Sequence, residues 1–138
     1  MKKQLAMLTL FAVSVFSQPL SSEVFSTLDR EVAGLMDAWV IITEERNGGS
    51  AGLFMAGTAI LRAEAAYEAA VHCSREYLPR EVVDSWVIYL KASADCIDQF
   101  QKAVRLYGTA DKEEILLAAF SRWETRGREF LESVQTTR

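Results

Sequence analysis

SAGLFMAGTAILRAEAAYEAAVHCSREYL, residues 50 to 78, decides the fold. Ala56, Ala59, Ala63, Ala66 and Ala70 follow one another three, four, three and four residues apart. That alternation holds a narrow stripe of small side chains on one face of a helix. A methyl stripe lets a neighbouring backbone come close, so larger side chains from other helices fill the space against it. Leu53, Ile60 and Tyr67, seven apart, are expected to flank the stripe and give it depth.

The same spacing recurs outward from this stretch. Before it, Phe25, Leu28, Val32, Leu35, Trp39 and Ile42 predict a first helix to about Arg46, with Ser21 or Ser22 as its N-cap. Asn47-Gly48-Gly49-Ser50 is the clearest break, two glycines to end one helix and a serine to cap the next. Pro79 stops the alanine helix or starts its successor, because proline is tolerated in a first turn and not in a helix interior. The third helix reads from about Arg80 to Tyr107 on the seam Val83, Trp86, Leu90, Ser93, Ile97, Phe100, Val104 and Tyr107. After Gly108-Thr109-Ala110, with Asp111 as a cap, a fourth helix carries Leu116, Phe120, Trp123, Gly127, Phe130 and Val134. No stretch alternates apolar and polar residues long enough for a strand.

Helices of similar length joined by short loops place chain neighbours antiparallel. The expected fold is all-α, a single-domain up-down-up-down four-helix bundle over residues 23–138. A chain of 138 residues with two prolines and seven glycines suits that class and one domain.

Residues 1–22 read as a secretory signal segment. Lys2 and Lys3 supply a positive start, and Leu5 to Phe16 is apolar except for Thr9 and Ser14. Val15 and Ser17 occupy the small-residue positions before a cut, with Pro19 after it. The run is shorter than the roughly 20 residues that span a bilayer. Export from a bacterial cell, to the periplasm or beyond, is the expectation. Losing Lys2 and Lys3 takes the net charge from −4 to −6. An acidic surface without a basic cluster repels phosphate backbones, so nucleic acid is not an expected partner, nor is a membrane after cleavage.

Cys73 and Cys96 present a conflict. An exported protein with two cysteines usually pairs them. In continuous antiparallel helices, however, they would lie roughly 16 Å apart along the axis at 1.5 Å per residue, beyond the ~7 Å that a disulfide bridges. Both statements hold only if the third helix breaks. Lys91 to Asp95 is where that break is expected, near Ser93, and on that reading the two cysteines are bonded.

Chemistry is poorly represented. Glu64, Glu68 and His72 share a helix face, but it lies opposite the alanine stripe, where a solvated charged face is the simpler reading. The only histidine is His72, which disfavours Ser-His-Asp and Cys-His catalysis. Cys-x-x-Cys-His, the covalent haem motif, is absent, and neither cofactor nor metal is expected. Ser50 to Ala59 is faintly similar to the Gly-Leu-Met-Gln stretch of lytic transglycosylases, but it lacks the glutamine, the spacing and a preceding Glu-Ser pair, so it implies no such activity.

What remains is a surface. Val40 and Ile41 on the first helix, Phe54 on the second and Ile115 on the fourth all point off their seams. In an up-down-up-down bundle they gather within about one or two turns of the same end. The expected function is that of an exported, non-enzymatic binding protein of inhibitor, immunity-protein or chaperone type. Its partner would be another protein or a second copy, held at that end. The alternatives are a small hydrolase-like enzyme using surface carboxylates and a carrier of an apolar ligand in the bundle core.

Overall fold

The computed structural model describes residues 20–44, 50–75, 78–106 and 110–136. The expected signal residues 1–19, the Asn47-Gly48-Gly49 break, Tyr107 and Gly108-Thr109 lie outside the described residues. Four helices follow in order: α1 (Ser22–Glu44), α2 (Ser50–Val71), α3 (Arg80–Arg105) and α4 (Ala110–Thr136).

Each boundary has a local cause. Ser21 caps α1, its hydroxyl accepting from the Val24 N–H at 3.3 Å and its carbonyl from Phe25 at 3.2 Å. Pro79 precedes α3 with extended dihedrals (φ −57°, ψ 149°), and its carbonyl accepts the first helical bond, from Val83, at 3.0 Å. α2 has already ended at Val71, so Pro79 starts one helix and does not stop the other. The Leu20 N–H reaches the Ser74 carbonyl at 3.3 Å, which ties the entry to α1 beside the exit from α2.

Side-chain pairs fix the directions. Glu31 meets Arg62 and, at the other face, Ser85 meets Ser133 and Asp95 meets Arg122, so α1 with α2 and α3 with α4 are antiparallel. Phe25 lies against Trp86, Asp29 against Tyr89 and Trp39 against Phe100 at a constant sequence offset, so α1 and α3 run parallel. Phe25 also packs on Phe130, with ring centroids 5.2 Å apart, and because α3 runs parallel to α1 and antiparallel to α4, α1 and α4 are antiparallel. This is the up-down-up-down bundle that the spacing predicts.

The core is drawn from all four seams. Leu28, Val32 and Leu35 of α1, Trp86 and Phe100 of α3, and Leu116 and Phe120 of α4 are sealed from solvent. The alanine stripe is the inner face of α2: Ala56, Ala63, Ala66 and Ala70 are all buried. Around one end, Phe25, Trp86, Tyr89 and Phe130 form a continuous ring cluster with centroids 5.0 to 6.5 Å apart. Offset aromatic contacts of this kind add to plain area burial.

Four expectations are corrected. First, α3 is continuous. Ser93 caps nothing; its buried hydroxyl returns to the Tyr89 carbonyl at 2.9 Å, one turn back, which satisfies it without breaking the helix. Second, Cys73 and Cys96 are free and buried, as an unbroken α3 requires. The Cys96 thiol donates instead to the Ala119 carbonyl of α4 at 3.3 Å, and Cys73 to Ala69 at 3.4 Å. Third, the α3 seam starts at Val82, not Val83, and includes Tyr89, Cys96 and Ala103. A helix packed against three others buries a stripe broader than a strict heptad. Fourth, Leu53 is 58% exposed and does not line the stripe, whereas Ile60 and Tyr67 are half-buried as expected.

Candidate interaction surface

α2 is the odd member of the bundle. A surface helix normally shows a polar face to water. α2 instead places Phe54 (78% exposed), Leu61 (69%) and Leu53 in solvent, with Met55 beside them. Its inner face is alanine, and the first half of its outer face carries large apolar side chains, while Glu64 and Glu68 occupy the second half.

Between α1 and α2 runs an open groove of about 590 Å³. Its floor is Gly34, Ala38 and Ala59, and its apolar walls are Ile41, Phe54 and Met55. Small residues make it shallow, and both helices contribute because they lie antiparallel with Glu31 level with Arg62. The rim is charged but uneven. At one end Glu31 receives Arg62 Nε at 3.1 Å and Arg30 Nε at 3.3 Å, so two guanidinium groups share one carboxylate. Asp37, two helical turns from Arg30, is exposed on the same rim and has no ion-pair partner among the described residues.

The four residues singled out in the sequence are all exposed: Val40, Ile41, Phe54 and Ile115. The helix registers put them at one end of the bundle. Counting from the Glu31–Arg62 pair brings Phe54 level with Trp39 and Val40, and counting from Phe25–Phe130 brings Ile115 level with Val40. The groove joins only Ile41 and Phe54; Val40 and Ile115 lie outside its lining. Sequence reasoning missed Met55, Leu61 and Leu53. The signal was present: Phe54 and Leu61 are seven apart, on the face opposite the alanines.

Reactive side chains do not converge. Glu64 and Glu68 are exposed on α2, and Glu64 accepts a 2.8 Å hydrogen bond from Gln101 of α3. Among the described residues no three His, Cys, Asp or Glu side chains gather as a metal site. Burial pushes the Cys96 thiol up to about 12, with the Asp95 carboxylate adding to it, and burial also raises Cys73. Thiols so shifted are poor nucleophiles at neutral pH. Beside the aromatic cluster the Tyr89 hydroxyl donates to Asp29 Oδ1 at 3.0 Å. Burial raises the Asp29 carboxyl above its usual range; the Tyr89 bond opposes the shift, and the Glu124 charge adds to it.

No family model matches the chain, and neither a curated protein nor a solved structure matches it significantly. Among the described residues no helix is long and apolar enough to cross a membrane.

Proposed function

We propose that this protein is an exported, non-enzymatic helical interaction module that binds a protein through the α1–α2 face. The observation that carries the reading is the exposure of Ile41, Phe54 and Met55 along the α1–α2 groove, beside a helix whose buried face is alanine. Exposed apolar residues gathered on one groove, here Ile41, Phe54 and Met55, mark an interaction site more often than scattered single hydrophobes do. Inhibitor, immunity-protein and chaperone roles all act by such occupation, and none of them needs a converged set of reactive groups.

The test is capture of a partner from a periplasmic extract by the immobilised protein, repeated with Ile41→Glu and Phe54→Glu. Both variants lose the captured partner while keeping helicity and melting temperature. Capture that survives both substitutions in folded protein rejects the face as the site.

One observation favours a carrier as the second reading. At the opposite end, Leu20, Phe25, Leu78, Val82, Phe130 and Val134 line an apolar crevice of about 520 Å³, edged by the serine hydroxyls of residues 21, 22 and 26. Its size suits a small apolar molecule. Titration with a lipophilic fluorophore, with Val134→Trp filling the crevice, decides it: a carrier shows saturable uptake that the substitution abolishes.

A further inference from the structure

The α1–α2 groove is complementary to itself. Arg30, Gly34, Asp37 and Ile41 follow one another four, three and four residues apart on α1, so they form one stripe along the groove. Its charges on the two sides of Gly34 are opposite. Arg30 and Arg62 bring two positive groups to one carboxylate, leaving an excess of positive charge there, and Asp37, beyond Gly34, is a negative charge with no ion-pair partner among the described residues. The midpoint of Arg30 and Asp37 falls at Gly34. A Cβ built on Gly34 would meet nothing within 4 Å. Glycine in a helix interior costs about 1 kcal/mol against alanine. Nothing among the described residues requires it at this position, whereas a second backbone approaching the groove would.

We infer that the groove is occupied by a second copy of this chain, in a two-fold dimer whose axis lies in the interface across the helices at the level of Gly34. This rests on the reading of the α1–α2 face as an interaction surface and names what covers it. Such an axis reverses the direction of the helices, laying α1 antiparallel on α1 of the second copy and α2 on α2. Arg30 then opposes Asp37 of the second copy, and the symmetry makes the pair twice. Arg62 opposes the level of Ala56 and Gly57, next to Met55, where its aliphatic stem covers apolar surface. The two α1 backbones cross at Gly34. At the opposite limit, a two-fold axis along the helices lays α1 on α2 of the second copy and brings Arg30 against Arg62. That juxtaposes like charges, so the charge pattern selects the antiparallel dimer.

Sedimentation velocity on the purified protein tests this through a charge swap. The protein sediments as a dimer in the micromolar range and shifts toward monomer as salt is raised. Arg30→Asp and Asp37→Arg each weaken self-association by about tenfold, since each turns two exposed attractive pairs into repulsive ones. The double variant carrying both substitutions restores the dimer. Gly34→Cys adds a measurement that does not depend on charge. Two cysteines at the axis oxidise to a covalent dimer, whereas Glu23→Cys, on the same helix but away from the crossing, does not. A wild-type monomer throughout that range, a double variant no better than its parents, or no cross-link at position 34 overturns the inference. A monomer from which Ile41→Glu and Phe54→Glu still remove a different captured protein overturns the dimer alone. A monomer that captures nothing overturns the interaction reading as well.

Discussion

The Tyr89 hydroxyl donates to Asp29 Oδ1 at 3.0 Å between two helices that run parallel, at the point where the aromatic cluster meets the rest of the core. Asp29 is half-buried, and burial is the largest influence on its carboxyl, which titrates above its ordinary value of 3.8. A folded state that raises an acid's pKa binds its proton more tightly than the unfolded chain does. The associated stability is therefore fully present below pH 3.8 and is lost as pH rises through the raised folded value. Asp29→Asn keeps an acceptor for Tyr89 and removes the titration. The stability of wild type relative to Asp29→Asn, from urea denaturation at a series of pH values, falls as pH rises across that window and is flat above it. A difference independent of pH sinks the assignment. Tyr89→Phe leaves the half-buried carboxylate without its donor and costs about 1–3 kcal/mol at neutral pH.

Gly127 adjoins the same pair. A Cβ there would lie 3.2 Å from Tyr89 Cε1 and 3.9 Å from Asp29 Oδ1. The phenol ring is fully buried, stacks on Trp123 and Phe130, and is held at its hydroxyl, so it yields little. Gly127→Leu gains helix propensity of about 1 kcal/mol. It also drives a side chain into filled space, at about 1–3 kcal/mol or more. The expected outcome is net destabilisation and a lower melting temperature. An unchanged or raised melting temperature means that α4 and α3 separate more readily than their packing suggests.

Cys73 and Cys96 are unbonded, buried and raised in pKa, so they resist disulfide reagents in the native protein. Ellman titration of protein purified without reductant yields two thiols per chain after denaturation and almost none before it. Fewer than two thiols after denaturation indicates the bond that export alone would lead one to expect.

The spacing of apolar residues carried the fold because a bundle helix must bury a stripe, and the stripe is written in the chain every three or four residues. Four helices and their alternating directions were legible on that ground. Cys96 was misread because two rules about cysteine conflicted, and only the unbroken α3 decides between them. In that unbroken helix the Ser93 hydroxyl turns back to the Tyr89 carbonyl and does not start a new helix. Val83 and Leu53 were misplaced because the heptad template names the centre of a buried face but not its width or tilt. At the candidate surface, Ile41 and Phe54 were found as residues off their seams. Gly34, Asp37 and Arg30 were not, because residues of three different chemical types announce a common groove only once α2 is laid beside α1.

The alanine stripe on α2 remains the organising element, and its consequence is measurable. Ala63 is fully buried at the inner face of the helix, while Ala65, two residues on, is exposed. Ala→Leu raises side-chain volume equally at both positions and changes intrinsic helix propensity little. At position 63 the added atoms have no room unless α2 moves away from α1 and α3, at about 1–3 kcal/mol. At position 65 they extend into water at little cost. Ala63→Leu therefore lowers the urea midpoint while Ala65→Leu leaves it near that of the parent. The slope of the transition is unchanged in both, because the fold remains the same. Equal midpoints for the two variants mean that the stripe does not set the distance at which α2 packs, and the bundle is then held by α1, α3 and α4 alone.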